Sequence, residues 1–68
     1  MENNLKEIRQ QNNLSQEQLA TLVQVSRQTI LSIEKCHYFP TAILAIKIAT
    51  VLSVTVEALF TLTTTDWA

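Results

Sequence analysis

Arg27, Gln28, Thr29, Leu31 and Ser32 lie within a six-residue stretch and carry the side-chain chemistry that distinguishes one base pair from another. A guanidinium can bond guanine O6 and N7 together, a carboxamide can do the same for adenine N6 and N7, and a Thr methyl or Leu side chain can meet the thymine methyl. Presented from one side of a helix, such a set suits the major groove of double-stranded DNA. Other chemistry is poorly supplied. The chain has no Gly, hence no Gly-rich phosphate cradle, and its single Cys36 and single His37 are adjacent, with no further Cys or His to complete a zinc site. Helical spacing suggests no Ser-His-Asp or paired-carboxylate arrangement. The expectation is a binding protein without enzymatic activity, metal or cofactor, with Cys36 as a loop thiol.

Two short helices must position that set. Ser15 is placed to cap the first, with Gln18 three residues on as its capping-box partner. Leu19, Leu22 and Val23 then recur at helical spacing and are expected to face inward. Ser26 offers a second cap, after which Ile30 and Ile33 turn the next helix toward the core and leave Arg27, Gln28, Leu31 and Ser32 projecting. Gln16, at the start of the first of these helices, stands where an amide and free backbone N–H groups can meet a phosphate.

The whole chain reads as five helices: about Leu5–Gln11, Gln16–Val23, Arg27–Lys35, a fourth capped by Thr41 and running to Leu52, and a short fifth capped by Thr55 and ending near Phe60. Pro40 stops continuation of the third. The tail TLTTTDWA is compatible with a short strand, an ordered arm or a frayed end. On the fourth helix Leu44, Ala45, Ile48, Ala49 and Leu52 form the inward stripe. Ile46 and Val51 are expected to flank the core and Ile43 to be exposed, with a partner surface as the alternative for this unusually apolar helix.

Composition bounds the class. At 68 residues the chain forms one domain near the lower limit for folding alone. Hydrophobic residues make up 47% of it, and with one Pro and no Gly an all-α fold is expected. No run reaches the ~20 apolar residues that span a bilayer, and the N-terminus lacks the basic start of a secretory signal. The protein is expected in the cytoplasm, away from membranes. Its net charge is -1, so non-specific electrostatic affinity for DNA should be small and direct base contacts should carry a larger share of binding.

SQEQLA, VSRQTI, IEK and the Tyr-x-Pro turn, taken together, resemble the helix-turn-helix of the Cro/C1-type (XRE-like) repressor family, especially its small stand-alone regulators. The resemblance extends through NLKEIRQQNN, similar to the family's first helix, and AILAIKIATVLSVTVEALF, similar to its fourth and fifth. It implies a compact five-helix lambda-repressor-like domain over residues 1–68, with the helix-turn-helix at about 16–35 and a short C-terminal strand or arm. It also implies a sequence-specific transcriptional regulator, a repressor, that binds a palindromic operator as a homodimer. By that resemblance Gln16 matches a phosphate-contacting glutamine, and Ser26, Lys35 and Tyr38 are the further candidates for holding the DNA backbone. The alternatives, of equal weight, are Lys35 as a favourable helix-end charge and Tyr38 as a packed ring. Arg9 and Glu34 form a structural ion pair, and Leu59, Phe60, Leu62 and Trp67 make the dimer contact. Four positions depart from the family pattern: Gln24 replaces a turn Gly, Cys36 and Phe39 replace small polar residues, and Leu31 replaces a polar one. The alternative is a protein-interaction module, such as an antitoxin or another regulator's accessory, with a small protein as partner.

Overall fold

Side-chain caps start four of the helices. In the computed structural model, which describes residues 1–67, Ser15 Oγ accepts from Gln18 N at 3.0 Å while Gln18 Oε1 accepts from Ser15 N at 2.8 Å. This reciprocal capping box opens helix α2, Gln16–Val23. Ser26 opens α3, Arg27–Glu34, Thr41 opens α4, Ala42–Leu52, and Thr55 opens α5, Val56–Leu59, each by accepting from the backbone N–H three residues on. Such caps contribute about 1 kcal/mol apiece. Helix α1, Leu5–Gln11, follows Asn4, whose side chain makes no such bond.

The other ends of α1 to α4 share one device. Asn13, Gln24, Cys36 and Ser53 take left-handed backbone conformations, with φ of 59°, 64°, 60° and 58°. Each donates its N–H to the carbonyl three residues back, and the following residue, Leu14, Val25, His37 or Val54, donates to the carbonyl five back. This pairing satisfies helix-end carbonyls and normally recruits glycine. A Cβ in this conformation costs roughly 1–2 kcal/mol, part of which glycine would return as unfolded-chain entropy. Exposed Ser53 tests this: Ser53→Gly should raise unfolding free energy by about 0.5–1 kcal/mol in urea titration, and a loss would show that the position is unstrained. Gln24 occupies the turn in the same way, and its Oε1 accepts from Lys47 Nζ at 3.3 Å.

The helices enclose one core, in which Leu5, Leu19, Ile30, Ile48 and Leu59 are completely buried. The residue after each left-handed position seals the core at Leu14, Val25 and Val54, which pack against it; His37 is exposed. The inward stripe of α4 is Leu44, Ala45, Ile48, Ala49 and Leu52, as its spacing predicts. Two expectations need correction. Leu22 is 54% exposed, because Leu19, Ala20 and Val23 fill the narrow arc of α2 that meets the core. Ile46 is 57% exposed beside Ile43, with Val51 alone flanking the core.

The ends of the chain meet. Strand β1, Glu2–Asn3, pairs antiparallel with β2, Phe60–Thr61, setting Glu2 opposite Thr61 and Asn3 opposite Phe60. The tail thus begins as a strand and continues as a 3-10 turn at Thr64–Trp67; its last residue, 68, lies outside the described residues. The Met1 amino group sits 2.8 Å from Asp66. Hydrogen bonding to that ammonium, then to the Thr63 backbone, lowers the Asp66 carboxyl from 3.8 to about 2. A depressed folded pKa means that this clasp is fully present above 3.8 and is lost as pH falls toward 2. Trp67 fluorescence should therefore change in that interval, and Asp66→Asn should abolish the transition. No helix among the described residues is long and apolar enough to cross a membrane.

Candidate nucleic-acid interface

A buried charge pair ties α3 to α1. Arg9 Nε donates to Glu34 Oε2 at 2.7 Å, and a second guanidinium nitrogen reaches Glu34 Oε1 at 3.3 Å, a two-pronged contact between side chains 9% and 5% exposed. The remaining guanidinium arm donates to the Leu14 carbonyl at 2.8 Å. Gln16 Nε2 donates to Glu34 Oε1 at 3.1 Å. One carboxylate thus gathers α1, the start of α2 and the end of α3, and no buried side-chain nitrogen or oxygen among the described residues lacks a partner. The bond from Gln16 is not apparent in the sequence, where that residue suggests an exposed helix start; the side chain is half-buried. A carboxamide has two N–H donors and one acceptor, so the remaining N–H and the oxygen can still meet a ligand.

With Ile30 and Ile33 buried, the opposite side of α3 faces outward. Arg27 and Gln28 are exposed on its first turn, while Thr29, Leu31 and Ser32 are half-buried. Gln28 Nε2 lies 3.5 Å from Ser32 Oγ, a loose contact that leaves the amide adaptable. Thr29 is more committed: its hydroxyl is 3.0 Å from Ser26 Oγ, which also accepts from the Thr29 N–H. Ser26 therefore serves first as a cap. Tyr38 folds back beside the helix and lines a small hollow with Gln28, Thr29 and Ser32. Lys35, exposed, directly follows the last residue of α3, one residue short of the expected extent. The result is an exposed polar and cationic ridge on a helix whose back is fixed, of a kind that can offer donors to base edges or phosphates.

Residues 5–59 match the sequence profile of a family described as helix-turn-helix. The chain belongs to the Cro/C1-type helix-turn-helix family. Among the relatives of this helix-turn-helix protein, an uncharacterized HTH-type transcriptional regulator of Methanocaldococcus jannaschii is 50% identical over 60 residues, covering 88% of this chain and 91% of the relative. The uncharacterized HTH-type transcriptional regulator YgzD of Bacillus subtilis is 44% identical over 60 residues, covering 88% and 91%. A solved structure, the restriction-modification controller protein C.AhdI from Aeromonas hydrophila, superposes with a TM-score of 0.76 at 32% identity, covering 82% of this chain and 85% of that one. The lambda-repressor-like five-helix architecture of the family is the one seen here, with the two short strands added.

Of the four residues expected at a dimer contact, Leu59 is a core residue, completely buried within its own chain because α5 turns it inward. Phe60 is half-buried, extended in β2 rather than helical. Leu62 is exposed and Trp67 is 77% exposed.

Proposed function

We propose that this chain is a DNA-binding transcriptional regulator, acting as a repressor, that binds a palindromic operator as a homodimer in the cytoplasm. Helix α3 of each copy enters the major groove. The observation that carries this reading is the exposure of Arg27 and Gln28 on the first turn of a helix whose other face is locked by Ile30, Ile33 and the Arg9–Glu34 pair. Relatives named as transcriptional regulators and the likeness to a controller protein support it.

In this reading Arg27, Gln28, Thr29, Leu31 and Ser32 face the bases. Gln16, Ser26, Lys35 and Tyr38 hold phosphates on either side. Phe60, Leu62 and Trp67 meet the second copy, whose two-fold relation sets the half-sites about one helical turn, roughly 34 Å, apart. The test is selection of bound sequences from a random DNA pool at low and near-physiological salt. Enrichment of a palindrome with two half-sites is expected. No enrichment at either salt would overturn the reading in favour of a protein-partner module, for which exposed Ile43 and Ile46 on α4 are the favouring observation.

A further inference from the structure

The C-terminal ends of α1, α2 and α4 are each sealed by an apolar residue after the left-handed position: Leu14, Val25 and Val54. The end of α3 has exposed His37 there instead and lacks that seal. A side chain from the far end of the sequence takes its place. Asn3 Nδ2 donates to the Ile33 carbonyl at 2.9 Å and lies 3.4 Å from Cys36 Sγ. Ile33 O also accepts from Cys36 N at 3.0 Å, so both of its lone pairs are engaged. Asn3 is itself held: its Oδ1 accepts from Leu5 N at 3.2 Å, and its backbone sits in the strand pair opposite Phe60.

We propose that Asn3 is a positioning residue for DNA binding, capping the end of α3 from strand β1 and thereby fixing Lys35 and the turn that carries Tyr38. The assignment rests on the reading of α3 as the DNA-docking helix. Phosphate contacts set a protein's register on the duplex without selecting sequence. Loss of this cap therefore weakens binding to all sequences alike and leaves base preference unchanged.

Asn3→Asp keeps an acceptor for Leu5 N and removes the donor to Ile33 O, and because it also adds a negative charge, the neutral and shorter Asn3→Ser must show the same loss. The affinity of both variants should fall roughly tenfold for selected and unrelated DNA alike. The slope of log K against log salt should become shallower by about one, and the amides of Cys36 and His37 should exchange faster. Asn4→Ala is the control, since Asn4 Nδ2 bonds Ala58 O in the same part of the fold without touching α3; it should bind DNA like the unaltered chain. A folded Asn3→Asp variant with unchanged affinity and slope would overturn the assignment, as would an Asn4→Ala variant equally impaired. So would a Cys36 amide that exchanges in the unaltered chain as fast as an open loop, a measurement independent of whether the variant folds. If the unaltered chain selects no DNA, the docking reading fails and this assignment fails with it; if it selects DNA and Asn3→Asp matches it, only the assignment fails.

Discussion

Glu34→Ala should lower the unfolding free energy by about 3–5 kcal/mol, the usual consequence of leaving one half of a buried ion pair behind. Arg9 has little access to water, with its side chain 9% exposed and one arm fixed on the Leu14 carbonyl. Removing the carboxylate strands that cation and also removes the acceptor of the Gln16 amide. Domains of this size have about 3–10 kcal/mol in total, so the loss removes a large part of the margin, and at the low end of that range the variant should be mostly unfolded at 25 °C. The paired change Arg9→Met with Glu34→Leu should be far milder, because matched apolar replacements avoid the stranded charge. Urea unfolding followed by circular dichroism measures both. A single variant within about 0.5 kcal/mol of the unaltered chain would show that the pair does not hold the fold together.

Arg27→Ala should act on binding alone. The side chain is exposed on the first turn of α3, so its removal should leave stability within about 0.5 kcal/mol. It should weaken binding to the selected sequence by about 1–3 kcal/mol and relax preference at a single base position. Gln16→Ala should differ in both respects. It should weaken all sequences evenly, and it should also lower stability because Gln16 shares the carboxylate of Glu34. Repeating the pool selection with each variant, alongside a thermal melt, separates the roles. Equal losses with unchanged preference would refute the division between base reading and backbone holding.

What was readable in the sequence was mostly the beginnings of helices. Ser15 with Gln18, Ser26, Thr41 and Thr55 announce four starts, since a cap acts over three residues and leaves a local signature. The ends were harder. Asn13, Cys36 and Ser53 do the work usually given to glycine; Asn visits this conformation more readily than most residues, but nothing in Cys or Ser reports a positive φ. Strand β1 is two residues long and exists only because residues 60–61 lie beside it, a pairing outside any local window. Leu22 and Ile46 mislead for a related reason: periodicity gives the direction of an apolar face but not the width of the core it meets. At the candidate site, the outward positions of α3 follow from the spacing of Ile30 and Ile33. The reach of Gln16 to Glu34 and of Asn3 to Ile33 depends on tertiary packing alone.

The meeting of the two chain ends also bears on the order in which the molecule assembles. Contacts between neighbouring helices, such as α2 with α3, close short loops and can form early, whereas the bond from Met1 to Asp66 spans 65 positions and closes nearly the entire chain. The strand pair should therefore form late, with native contacts near α2 and α3 present in the folding transition state and those of Glu2 and Thr61 absent from it. Substitutions at the strand pair should accordingly speed unfolding while leaving the folding rate almost unchanged.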